Sequence, residues 1–278
     1  VKVSSVVTGY FKLDGGAMFG IVPKSIWEKK YPADENNMCR WAMRSLLIEW
    51  GDRKMLVDTG IGNKQSAKWQ SFFYPEGVDV IGNLANVAIL PEEITDVFIT
   101  HLHFDHVGGA LYKDKNDSVF VTFPNATYWM CDKHYEWAIN PNPREKPSFL
   151  QENFIPLVDQ KKVKWLPYDL NGYAFDDDIF IQFFNGHTEA MMTLEVNDSK
   201  RKYFYPADLL PSHCHIGASY VMAYDVRPLL TMNEKEIFLN RVVESNGIIV
   251  FEHDQLVESA SIFKNEKNLF EIKDVISA

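Results

Sequence analysis

Positions 2–8 and 17–23 read as β-rich, and two further apolar runs follow at 41–50 and 54–57. Gly51-Asp52 between the last two has the composition of a two-residue hairpin turn, so this part of the chain reads as a β-meander. Residues 64–74 carry Trp69, Phe72 and Phe73 at helical spacing, and Pro91-Glu92-Glu93 opens a segment leading into an apolar strand at 96–100. Val107-Gly108-Gly109-Ala110 reads as a tight strand-to-helix connection. The second half repeats the order: strands at 163–166, 178–184, 191–196 and 202–206, an amphipathic segment at 233–244, and a strand at 247–252. Between the halves a helix is expected at 131–139. Residues 140–147 (NPNPREKP) read as a loop, because proline removes backbone donors and disfavours helix before each ring. Both halves run from strands to helix to strand, a mixed α/β (α+β) pattern.

Composition narrows the function. At 278 residues and 46% hydrophobic the chain has ample material for a core. Its 38 acidic against 28 basic residues, a net charge of −10, argue against nucleic acid as a partner, since phosphate binding needs clustered Lys and Arg. Cys39, Cys131 and Cys214 are an odd set without a CxxC pair, so neither a disulfide framework nor a thiolate zinc site is indicated. Apolar stretches such as 178–184 fall far short of the ~18 residues that span a bilayer, and the first residues lack the pattern of a secretory leader. A cytoplasmic protein without a membrane partner is expected.

The densest chemistry lies in Thr100-His101-Leu102-His103-Phe104-Asp105-His106, where three imidazoles and one carboxylate fall within six residues directly after an apolar strand. Past the end of a strand the chain is free to turn, so these side chains can converge on a point instead of alternating across a pleat. Nitrogen and carboxylate donors without cysteine suit a catalytic zinc-type site that keeps a position for water.

The string His101-x-His103-x-Asp105-His106 resembles the HxHxDH signature of the metallo-β-lactamase-fold hydrolases. Asp58-Thr59-Gly60 after strand 54–57 resembles that family's DTG turn, Gly186-His187-Thr188 its GHT element, Ala207-Asp208 its GD element, and Glu252-His253 its terminal histidine. The five motifs stand in the family's order over residues 40–255. The resemblance implies a four-layer αβ/βα sandwich, with a metal site at one edge and with residues 1–278 as a single domain. It implies that His101, His103 and His187 bind one divalent cation, that Asp105, His106 and His253 bind a second, and that Asp208 bridges them. Asp58 resembles the acid that orients a ligand imidazole, and it could equally serve to close the turn. The implied metals are most simply zinc, with Mn, Fe or Co as alternatives. The implied reaction is hydrolysis by a hydroxide shared between two metals, with Asp105 and His253 as catalytic candidates.

Phe11-Lys12-Leu13-Asp14-Gly15-Gly16-Ala17-Met18-Phe19-Gly20, followed by Val22-Pro23-Lys24, is similar to the branch of methyl parathion hydrolase and N-acyl homoserine lactone lactonases. A lactone, ester or organophosphate is then the expected small-molecule substrate, and a homodimer is a possible assembly. Two departures concern residues other than ligands. Glu189-Ala190-Met191 replaces the usual Pro-Gly-His, and Pro211 stands where lactonases commonly have Tyr. The same ligand set also fits a glyoxalase II-like thioesterase or an iron-dependent persulfide dioxygenase-type enzyme. Met18, Phe19, Trp69, Phe72, Phe73, Met191 and Met192 either wall the cleft or fill the core. His213 is a candidate substrate contact or a loop histidine, His134 is expected to be structural, and Cys39 and Cys131 have no adjacent cation that would activate them.

Overall fold

The computed structural model describes residues 1–276. Its strands are β1 (Lys2–Asp14), β2 (Met38–Trp50), β3 (Arg53–Val57), β4 (Asp96–Phe98), β5 (Leu111–Lys113), β6 (Val119–Val121), β7 (Thr127–Cys131), β8 (Val163–Leu166), β9 (Tyr173–Asp176), β10 (Ile179–Phe184), β11 (Met191–Asn197), β12 (Lys202–Tyr205), β13 (Ile248–Val250), β14 (Ser259–Lys264) and β15 (Phe270–Ile276). They form a six-stranded sheet of order β1-β2-β3-β4-β7-β8, a seven-stranded sheet of order β15-β14-β13-β12-β11-β10-β9, and the β5-β6 ribbon. The chain divides into two compact units, one of Val1–Phe11 with Ala42–Tyr168, the other of Lys12–Trp41 with the chain from Asp169 onward.

In the first unit the expected hairpin forms, with Trp50 opposite Arg53 across Gly51-Asp52 and antiparallel pairing from Leu46↔Val57 outward. Pairing then turns parallel through β3–β4, β4–β7 and β7–β8. A strand paired in parallel on both sides is covered on both faces, which is why β4 is buried at every position. Leu56, Val97, Ile99, Leu102, Val107, Tyr128, Met130 and Phe154 are among the buried residues of this unit's core. Holding β3 and β4 in register from Met55↔Asp96 to Val57↔Phe98 sends Asp58 and Ile99 out of the sheet at the same edge.

The second unit is built on antiparallel pairs except β12–β13, which are parallel. A parallel pair needs a long crossover, and the helix Pro228–Glu244 supplies it. That helix buries Thr231, Glu234, Lys235, Phe238, Leu239 and Val242, a stripe at helical spacing, with Phe238 edge-on to Phe184 and Phe204.

Two local expectations are corrected. Residues 17–23 are not a strand: Gly15–Phe19 is a short helix, capped by Asp14 accepting the Ala17 N–H at 2.8 Å. Gly15 packs on the Trp27 ring, where an added Cβ would sit 2.3 Å from the nearest carbon. Val107–Ala110 connects helix to strand instead of strand to helix, since Phe104–Val107 is already helical and Gly108–Ala110 leads into β5. Residues 213–216, including His213-Cys214-His215, form a turn of 3-10 helix. Among the described residues no helix is long and apolar enough to cross a membrane.

Candidate metal-binding groups

In the first unit the DTG turn grips the histidine string. Asp58, in the left-handed region at φ 57°, is fully buried. Its Oδ1 accepts the Thr100 N–H at 2.8 Å, its Oδ2 accepts the Thr100 hydroxyl at 2.6 Å, and the same Oδ2 lies 3.0 Å from His106 Nδ1. Thr59 donates both its N–H and its hydroxyl to the His106 carbonyl, at 2.7 and 2.9 Å. With its proton given to Asp58, the Thr100 hydroxyl accepts from His101 Nδ1 at 3.1 Å. The consequence is a fixed tautomer: Nδ1 of both His101 and His106 carries the proton, and Nε2 carries the lone pair a metal would use. Both candidate roles of Asp58, turn closure and imidazole orientation, are thus filled by one carboxylate.

His101, His103, Asp105 and His106 all belong to this unit and are all buried. The rings of His101 and His103 are 4.5 Å apart and those of His101 and His106 3.9 Å. Donor atoms of His101 and His103, and likewise of Asp105 and His106, fall within 4.8 Å of each other. One supporting residue carries no local mark in the sequence. Buried Glu145, from the Pro-rich loop, places Oε1 3.5 Å from His103 Nε2 while Oε2 accepts from Trp137 Nε1 and Asn142 Nδ2. His134 is structural as expected, and its task is specific: its Nε2 accepts the Leu102 N–H at 2.8 Å, tying down the middle of the string.

The second unit carries His187, Asp208 and His253, all buried. Asp208 lies 3.2 Å from His187 Nε2 through one oxygen and 3.0 Å from His253 Nε2 through the other. His187 Nδ1 is 2.8 Å from buried Asp225, another carboxylate that sequence reading missed. Asp225 holds the ring proton on Nδ1, so the lone pair of Nε2 faces the Asp208 carboxylate. Two acceptors at this distance repel unless a second proton or a cation lies between them, and imidazole with carboxylate is a donor set that zinc-type cations take. The donor chemistry in each unit therefore fits divalent metal. The His187 turn is pinned in turn by Glu234, which accepts the Asn185 and Gly186 N–H groups at 2.8 Å each. Arg227 reaches the Asn185 carbonyl and Glu189, giving the residue that departs from the family pattern a partner of its own.

The apolar candidates separate. Met18, Phe19, Met191 and Met192 are core residues, each no more than 1% exposed. Phe72 points to solvent, whereas Trp69, Phe73 and Phe104 form a cluster with ring centroids 4.5–4.9 Å apart. His215 belongs with Phe19, stacking on it at 5.1 Å; its Nε2 donates to the Met18 carbonyl and its Nδ1 accepts from Ser212. Burial pushes its pKa down to about 3, so the ring is neutral.

Residues 44–118 match the family model described as the metallo-beta-lactamase superfamily. Over 99% of its length the chain also superposes on 98% of a probable metal-dependent hydrolase from Staphylococcus aureus, with a TM-score of 0.86 and 26% identity. AidC, a dizinc quorum-quenching lactonase in complex with an N-acyl-L-homoserine product, matches at TM-score 0.79 and 19% identity, covering 100% of this chain and 97% of its own. The hydrolase AbOPH of the beta lactamase superfamily matches at 0.78 and 17%, covering 99% and 94%. Residues 44–118 thus carry the metallo-beta-lactamase superfamily match, and the chain has a mixed α/β fold that matches structures of that fold. Its fold is that of metal-dependent hydrolases, among them N-acyl homoserine lactone lactonases, and it presents His and Asp groups able to bind metal ions.

Proposed function

We propose that the chain is a dinuclear metal-dependent hydrolase acting on a lactone, ester or organophosphate of modest size. His101, His103 and His187 hold one divalent cation, Asp105, His106 and His253 a second, and Asp208 both. The observation that carries this reading is Asp208 set 3.2 and 3.0 Å from two imidazole nitrogens, one of which has its other nitrogen already committed to Asp225. Such cations, when bound, lower the pKa of water to about 7 and polarise a substrate oxygen, so no serine or cysteine nucleophile is required. The protein's own part is orientation: Asp58 and Asp225 fix ring tautomers, and Glu145 lies against His103. Zinc is the proposed metal, by analogy with dizinc AidC.

Two observations favour an apolar substituent on the substrate. The Trp69–Phe73–Phe104 cluster offers a partly exposed aromatic wall beside the histidine string. AidC, of the same fold, is seen with an acyl-homoserine product. The acidic balance disfavours polyanionic substrates, and the three free cysteines suit a reducing, cytoplasmic setting. Initial rates on an acyl homoserine lactone, an aryl ester, a thioester and a phosphotriester test the substrate class. A preference above about 100-fold, some 2.7 kcal/mol in transition-state binding, identifies it. A preference of that size for the thioester overturns the lactone, ester or phosphotriester assignment.

A further inference from the structure

Apart from the metal-binding groups, the second unit contains a cavity of about 580 Å³, a size typical of small-molecule sites, with Lys30, His213, Cys214, Ile216, Leu269 and Phe270 in its lining. His213 and Cys214 belong to an ordered chain of groups. Asp254 is fully buried; its Oδ1 accepts the N–H groups of Leu256 and Val257 at 2.8 and 3.0 Å. Its Oδ2 accepts the backbone N–H of His213 at 2.8 Å and the Nδ1–H of the same ring. Nε2 therefore carries the lone pair, and it lies 3.3 Å from Cys214 Sγ. Carboxylate, imidazole and thiol stand in the order in which a base orients and then deprotonates a sulfur nucleophile. The two other thiols differ: Cys39 has no exposure at all, and Cys131 has the Asp132 carboxylate 3.8 Å away, a poor neighbour for a developing thiolate.

We propose that Cys214 is a covalent capture site for small, apolar α,β-unsaturated carbonyl compounds, with His213 as its base. The Sγ–H proton passes to His213 Nε2 as sulfur bonds to the β-carbon. The carbon–carbon π pair moves toward the carbonyl as an enolate, and the imidazolium returns the proton to the α-carbon. The product is a saturated thioether, and no oxidant, reductant or leaving group is involved. Ile216, Leu269 and Phe270 supply apolar walls; of the two lysines in the lining, Lys235 is committed to the Gly217 and Tyr220 carbonyls, and the Lys30 ammonium, 5.0 Å from the Tyr220 ring, is the one offered to the enolate oxygen. Burial pushes the thiols of Cys39, Cys131 and Cys214 alike up to about 12; at Cys214 the Asp254 charge adds to the rise and the Lys30 charge opposes it, as the Lys24 charge does at Cys39. Resting thiolate content thus does not distinguish the three, and selectivity comes from the imidazole and the cavity.

The test is to treat the intact purified protein with methyl vinyl ketone and follow the three cysteine peptides by mass spectrometry over time. Cys214 is expected to label at least about tenfold faster than Cys39 or Cys131, and His213→Gln to lower its rate by about tenfold or more. Cys214→Ser removes the fast adduct. Lys30 is exposed, so Lys30→Gln tests the site without loading the core; it is expected to slow Cys214 severalfold and leave Cys39 unchanged. Equal labelling of the three cysteines overturns the proposal, as does a His213→Gln protein of unchanged melting temperature that labels at the wild-type rate. If His213→Gln melts lower, Lys30→Gln decides: slowed labelling supports the site, and an unchanged rate overturns it.

Discussion

One hydrogen bond, 2.8 Å from His187 Nδ1 to Asp225, decides which nitrogen of that ring is left to face Asp208. Asp58 does the same for His106 at 3.0 Å and shares its other oxygen with the Thr100 N–H. Replacing either carboxylate by its amide keeps size and removes the charge. Asp225→Asn and Asp58→Asn are each expected to weaken metal binding by about 10–100-fold, read by competition with a chromogenic chelator, with secondary structure unchanged. An unaltered affinity in both variants would remove the orienting role. His215 predicts a different behaviour. Its folded pKa, near 3, lies below the ordinary value of 6.5, so below about 6.5 the unfolded chain takes up a proton that the folded protein refuses. Its contribution is therefore complete above pH 6.5 and falls as the pH drops toward 3, by up to about 1.4 kcal/mol per pH unit. The difference in unfolding free energy between the wild type and His215→Gln, measured in urea from pH 7 to 4, should shrink on acidification; a constant difference contradicts the assignment.

At the scale of elements, the histidine string is held by the turn that follows β3. Gly109 donates its N–H to the Gly60 carbonyl at 2.8 Å, and a Cβ on Gly109 would lie 2.1 Å from the Thr59 carbonyl oxygen, a backbone atom that cannot swing away. Gly109→Ala is expected to cost about 1–3 kcal/mol in urea unfolding, the range found for overpacking, and a neutral effect would show that the turn yields. How much of this was readable in the chain depends on the range of the interactions involved. The β2–β3 hairpin, the helix at 131–139 and the strands at 163–166, 191–196 and 202–206 rest on local pattern and turn chemistry, and they form close to where the pattern puts them. Residues 17–23 depart from the strand pattern because Phe19 serves a tertiary cluster, stacking on Trp27 and His215, and because Asp14 caps a helix. The ligand string was legible because six adjacent residues carry it. Asp225, Glu145 and Glu234 were not, since each lies 38–49 residues from the group it supports and no local spacing marks it.

Across the whole molecule, five motifs spread over residues 58–253 bury two sets of imidazoles and carboxylates, one in each unit. Burying so many ionisable groups is costly unless they are paired or bound to metal, so the apo form is expected to be the less stable one. Chelation should lower the melting temperature, and readdition of zinc at about 100 times its dissociation constant should restore roughly 2.7 kcal/mol. The most direct test of the central claim is the metal content of the native protein, measured by plasma mass spectrometry beside that of Asp208→Ala. About two divalent ions per chain are expected, with marked loss in the variant and hydrolytic turnover that disappears with chelator and returns with Zn, Mn or Co. Fewer than about one ion per chain, with no turnover restored by any of these metals, would contradict that claim.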